Sequence, residues 1–108
     1  MRALDPESIQ NLVRQGHYLV KLHAFQHALK EGFGPEQIEA AILSGQIIED
    51  YPAENRALVC GRAVLEDELV TFLHVVCELR ASEQIDIITA YIPDPVEWEK
   101  PPFRRKRR

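Results

Sequence analysis

The sequence predicts an α+β fold in two layers: N-terminal helices packed on one face of a four- to five-stranded, mainly antiparallel sheet. Three observations lead there. Apolar residues recur at helical spacing only as far as Gly45. From Gln46 onward the chain is a series of strand-like runs rich in Val, Ile and Tyr. The connections between those runs are short, which favours an antiparallel meander for the last four strands. A chain of 108 residues predicts one domain, over 1–103, followed by a basic tail at 104–108. That length buries a core without metal or disulfide staples.

Asp5-Pro6-Glu7 is a helix start, with Asp as the cap, Pro at the first helical position and an acid in the first turn. Ile9, Leu12 and Val13 form its apolar face, and Gly16 ends it. Tyr18 to Leu22 reads as a short strand. His23 to Glu31 has helical spacing and stops at Gly32, with Phe25, Ala28 and Leu29 on the predicted buried side and His23 and His27 nearly opposite. Gly34-Pro35 starts another helix, whose stripe is Ile38, Ala41 and Ile42 and whose stop is Gly45.

The strands follow. Ile47 and Ile48 lead to Tyr51, and Pro52 ends that run. Leu58 to Val64 and Val70 to Leu79 form a hairpin around Glu66-Asp67-Glu68. Val70 to Leu79 is the longest and most apolar run, as expected of a central strand. Arg80 to Gln84 turns the chain into Ile85 to Ile92, which Pro93-Asp94-Pro95 closes. Trp98 is expected to fold back onto the sheet edge.

Composition narrows the class. Apolar residues make up 45% and charged residues 28%, the balance of a soluble globular protein. No run approaches the roughly 20 apolar residues of a membrane span, and the N-terminus shows no secretory h-region. A cytoplasmic location, away from membranes, is the expectation. The formal charge is −4, yet Arg104, Arg105, Lys106, Arg107 and Arg108 are all basic. Without them the chain carries 8 basic against 17 acidic groups, a net of −9. Such a body is a poor surface for phosphates. The tail either binds nucleic acid or a partner, folds back on the acidic body, or is a solvated terminus. Cys60 and Cys77 form neither a disulfide framework nor a zinc pattern. They are buried free thiols or, in some hairpin registers, a cross-strand pair.

Three runs carry a resemblance: Gln46-Ile-Ile-Glu-Asp-Tyr-Pro52, Leu73-His-Val-Val-Cys77 and Asp86-Ile-Ile-Thr-Ala-Tyr-Ile-Pro-Asp-Pro-Val-Glu-Trp98. With the preceding His-Ala helix and Gly-Phe they resemble the prokaryotic domain-of-unknown-function family 4258, over roughly residues 18 to 104. That family is thought to share the compact fold of RelE/ParE-like and BrnT-like toxins. The resemblance implies a toxin-type component of a toxin–antitoxin pair, acting on RNA or translation as a metal-independent endoribonuclease if it is an enzyme. A small antitoxin protein would be its partner, RNA or the ribosome its target, and a homodimer stays open. Two departures bear on this. Many members carry arginines four and eight positions after the histidine that matches His23, where this chain has His27 and Glu31. RelE-like ribonucleases are typically basic, and this body is acidic. A non-catalytic protein-binding module is the alternative, and a metal-binding regulator a distant one.

The candidate residues follow from chemistry. His74 lies in the most apolar strand on a face with Phe72, Val76 and Glu78, opposite Leu73, Val75, Cys77 and Leu79. On that mixed face it is either a general acid or base or a structural histidine bonded to a neighbouring strand. Glu49, Asp50 and Tyr51 close the first strand of the sheet. Cleaving RNA without metal needs a base, an acid and a cation. His74, Tyr91 and Arg56 or Arg62 fit those roles, or else the tyrosines are half-buried sheet residues. His23, His27 and Glu31 are spaced i, i+4, i+8, so two histidines share a helix face, but a third ligand must come from elsewhere, such as His17. No cofactor is implied. The tail with Trp98 and Phe103 is the candidate phosphate- or partner-binding patch. With no phosphate-cradling glycine loop, nucleophile triad or Cys-x-x-Cys, nucleotide-dependent and thiol enzymes rank low.

Overall fold

The computed structural model describes residues 5–80 and 83–107. Helix α1 (Pro6–Arg14) is capped by Asp5, whose Oδ1 accepts the Ser8 N–H at 2.8 Å. The chain then passes through β1 (Tyr18–Val20), α2 (Leu22–Glu31), α3 (Pro35–Ser44), β2 (Gln46–Tyr51), a 3-10 turn (Pro52–Glu54), β3 (Arg56–Val64), β4 (Val70–Arg80) and β5 (Gln84–Tyr91). Residues 81 and 82 of the predicted turn after Arg80, and Arg108 of the basic tail, lie outside the described residues. No helix among the described residues is long and apolar enough to cross a membrane.

The sheet order is β1-β5-β4-β3-β2. Strands β2 to β5 form the expected antiparallel meander, and β1 joins β5 in parallel at the far edge. From β1 at one edge the chain reaches β2 at the other through α2 and α3, and this puts the helices on a single face. There α2 packs on β5, α3 on β3, and α1 on α3. The core lies between helices and sheet, with Ile9, Ala28, Ile38 and Ile42 meeting Val59, Leu73, Val75 and Ile87. It is an α+β fold.

The buried side of α2 differs from the sequence expectation. Ala24 and Ala28 are buried, whereas Phe25 and Leu29 stay 36% and 56% exposed. Small side chains let the helix lie close on the sheet, and the bulky apolar ones turn outward. Phe33, one residue beyond the left-handed cap Gly32 (φ 88°), supplies the large core side chain instead.

The hairpin register separates the cysteines. Cys60 lies opposite His74 and Cys77 opposite Ala57, so the thiols are on different faces of the sheet. Both are free and buried, and burial pushes Cys60 up to about 11 and Cys77 up to about 12. They are protonated and unreactive at neutral pH. The cross-strand pairing considered from sequence does not form.

One close approach sets the helix–sheet spacing. A Cβ at Gly61 would lie 1.7 Å from the Ala41 carbonyl oxygen, so β3 passes directly under the α3 backbone. Gly61→Ala must push the two layers apart. The expected result is a loss of about 2–3 kcal/mol in urea denaturation, or failure to fold.

Candidate functional site

The polar residues converge on the helix-free face, and two β-bulges bring them there. In β2 the register passes from Ile47↔Val59 to Glu49↔Leu58, leaving Ile48 as an extra residue. In β5 it passes from Ile87↔Cys77 to Thr89↔Val76, leaving Ile88 extra. A one-residue insertion reverses the facing of everything after it. Without the bulges Glu49, Tyr51 and Tyr91 would point at the helices. With them, all three share a face with Leu58, Cys60 and His74.

A second device covers this face. Residues 94–106 leave the end of β5 and form a small hairpin, joined by a Trp98↔Arg105 bridge and by the Lys106 N–H donating to the Glu97 carbonyl at 2.8 Å. This strap lies on the sheet over His74. Trp98 is therefore buried on the sheet face, 2% exposed, and not at the edge as its sequence position suggested.

His74 sits at the centre and is fully buried. Its Nε2–H donates to the Pro102 carbonyl at 2.7 Å, and its Nδ1 faces the Tyr91 hydroxyl at 3.2 Å. A carbonyl only accepts, so Nε2 carries the proton and Nδ1 accepts from Tyr91. Burial holds the ring below its usual value, with the Pro102 bond and Glu49 acting against that shift. Burial likewise pushes Tyr91 up to about 12. Both groups are neutral at pH 7. Trp98 packs edge-on against the imidazole, ring centres 4.3 Å apart.

Arg105 locks the strap. Its guanidinium grips Glu49 through Nε at 2.8 Å and Nη2 at 3.0 Å, and it stacks 4.6 Å over the Trp98 ring. The Tyr51 hydroxyl donates to the same carboxylate. The Arg105 hydrogen bond holds Glu49 below the usual carboxylate range, and the Glu49 bond raises Tyr51. Among the described residues no buried side-chain nitrogen or oxygen lacks a partner. The cluster is closed on itself.

The other candidates lie apart. Arg56 is on the same face but pairs with Glu78 at 2.8 Å, and Glu78 lies four residues along β4 from His74, roughly 13 Å away. Arg62, opposite Phe72, is exposed beside a hollow of about 360 Å³ whose walls include Cys60, Phe72 and Phe103. Asp50 faces the helix side at the end of β2 and is exposed. His23 and His27 stack edge-on at 6.5 Å, and His27 Nε2 lies 3.5 Å from Glu31. Among the described residues no group of three or more His, Cys, Asp or Glu could hold a metal ion. In the tail, Arg104, Lys106 and Arg107 are exposed, whereas Arg105 is folded onto Glu49.

Sequence reasoning missed the locking role of Arg105 and the stacking of Trp98. It also missed the bulges, although a signal exists: Ile47-Ile-Glu-Asp-Tyr51 and Ile87-Ile-Thr-Ala-Tyr91 repeat one pattern, and the second Ile is the extra residue each time.

Fold and site together define a small α+β protein whose sheet is sandwiched between helices and a C-terminal strap, with a neutral histidine under the strap. The chain belongs to the DUF4258 family, a domain of unknown function whose model matches residues 20–92. No curated protein matches the chain, and no solved structure does.

Two outcomes test this geometry. The folded His74 ring binds its proton less tightly than the unfolded one, whose ordinary value is 6.5. Its stability contribution is thus complete above that value and falls as pH drops below it. Thermal melting from neutral pH to about pH 5 should show a declining midpoint, with a shallower decline in His74→Gln. Arg105→Ala removes the lock, whose arginine is 56% exposed and whose contribution is therefore modest, about 1 kcal/mol. Trp98 is the single tryptophan of the chain, so its emission should move to longer wavelength in that variant. Unchanged emission would show that the strap stays seated without Arg105.

Proposed function

We propose that this protein works by binding another protein and does not turn over a substrate at His74. One observation carries this reading: His74 has no exposed surface, and both ring nitrogens are already occupied inside the fold. A general base needs a free lone pair within reach of the substrate proton, and the Nδ1 lone pair is taken by Tyr91. Glu49 is likewise consumed by Arg105 and Tyr51. The surface, in contrast, offers apolar groups to a partner. Val64, Leu69 and Val70, where the β3–β4 hairpin turns, are 54%, 61% and 66% exposed, and Val96 on the strap is 78% exposed. The acidic body favours a basic partner.

A second reading has its own support. His74, Tyr91, Tyr51, Glu49 and Arg105 bring an acid, a base and a cation into one cluster, the set that metal-independent RNA cleavage requires. A RelE/ParE-like toxin acting on RNA or translation, held by a small antitoxin, would use this cluster after the strap lifted. Expression in a bacterial host separates the two. The binding reading expects normal growth at high soluble expression, and a co-purifying protein that is retained by His74→Gln. Growth arrest relieved by His74→Gln would establish the toxin reading and overturn the first.

A further inference from the structure

The β4–β5 ladder stops at His74↔Tyr91, but the β3–β4 ladder continues through Gly61↔Leu73, Arg62↔Phe72 and Ala63↔Thr71 to Val64↔Val70. Residues 70–73 of β4 are therefore paired on one side only among the described residues. The cause is local. The Ile92 N–H turns away to donate to Glu31 Oε1 at 2.7 Å, and Pro93 and Pro95 have no N–H to give to a ladder. Their geometry takes the chain out of the sheet and into the strap. What remains is a short open edge, whose backbone groups are a template for another strand.

A cleft of about 450 Å³ runs beside this edge. It is lined by Thr71 and Phe72 of β4, by Ile92, Pro93 and Pro95 after β5, and by Trp98 of the strap. The exposed lining is mostly apolar, and Leu69 and Val70, next in sequence to Thr71, are exposed. Exposed acids outnumber bases around it: Glu66, Asp67 and Glu68 on the hairpin turn and Asp94 and Glu99 on the strap, against Lys100 in the lining, Arg62 opposite Phe72 and Arg104 beside Glu99. A strand laid along residues 73 to 70 in the direction of β5 would run out past Glu68 and Asp67.

Resting on the binding reading above, we propose that this slot takes an extended segment of a partner protein. The segment pairs with the β4 edge, places alternate apolar side chains in the cleft, and carries Lys or Arg at its flanks. Backbone pairing supplies the affinity, the cleft selects side chains at every second position, and the acidic rim selects the charge. An acidic segment meets repulsion at the same rim, which makes the slot selective as well as adhesive.

The probe is a short synthetic peptide with valine at alternate positions and lysines at both ends. It should bind saturably, shift the emission of Trp98, and slow amide hydrogen exchange at residues 70–73. The same peptide with glutamates at its ends should bind about tenfold more weakly. So should the parent peptide to the variant Glu66→Lys/Glu68→Lys. That variant keeps Asp67, whose Oδ1 accepts the Leu69 N–H at 3.2 Å and holds the turn. Absence of saturable binding, or binding that leaves exchange at 70–73 unchanged, overturns the slot. A co-purified protein partner that holds the double variant as tightly as the parent also overturns it, while the binding reading stands. Growth arrest that depends on His74, with no partner found, overturns the binding reading itself.

Discussion

The seating of His74 beneath the strap is the constraint on which the helix-free face depends. A sheet face without helices exposes alternate side chains to water unless something covers it. Here residues 94–106 do so. They are short, proline-rich and polar at their ends. Around His74 they offer one carbonyl, one indole and one guanidinium, and beside it the Phe103 ring packs edge-on against Phe72, ring centres 5.5 Å apart. His74 accepts from Tyr91 on the sheet and donates to Pro102 on the strap, so a single ring ties the two layers. Trp98 then fills the space above the ring, and Arg105 closes over both. Removing His74 or Trp98 leaves a buried polar atom without a partner or a void, and both are costly in a low-dielectric interior, whereas Arg105 acts at the exposed margin.

That seating requires the strands to present the right residues on the right side, which is the purpose of the two bulges. The apolar doublets Ile47-Ile48 and Ile87-Ile88 each place one side chain in the main core before the extra residue resets the alternation. The bulges swap which alternate positions face each layer: Ile47 and Ile87 point to the helices, whereas Glu49, Tyr51 and Tyr91, two and four residues on, point to the strap. The far half of the same face is organised differently, as ion pairs: Arg56 with Glu78, and Arg80 with Asp86. Asp86 is almost fully buried yet keeps both oxygens occupied, by Arg80 and Gln84.

Element type and order were legible in the sequence because the punctuation is local. Gly16, Gly32 and Gly45, Pro6 and Pro35, and Pro52 and Pro93 stand at helix and strand ends for reasons of backbone geometry alone. The central strand was legible too, since only β4 combines length with apolar character on one whole face. The inward side of α2 was not. Helical periodicity finds the most apolar stripe, whereas close packing on β5 selected the smallest one, Ala24 and Ala28. The site was half legible. His74 stands out as a polar residue in an apolar run, and the partnership with Tyr91 follows once β4 and β5 pair. The involvement of Arg105 could not be read, because a basic cluster near a terminus gives no indication of which member finds a carboxylate 56 residues away.

The parallel edge has a consequence in time. Strand β1 precedes every other strand in the chain, yet its hydrogen-bonding partner is β5, the last. Helix α2 follows β1 directly and also packs on β5. As the chain emerges from a ribosome, β2, β3 and β4 can pair with nearby neighbours, but β1 and α2 have nothing to settle on until residues 84–91 appear. The strap follows still later. Early segments therefore wait on late ones, since β1 can join the sheet only once β5 is present. Such a pattern of distant contacts slows folding and leaves apolar strand surface exposed for longer. The first strand of the chain is thus among the last to be secured.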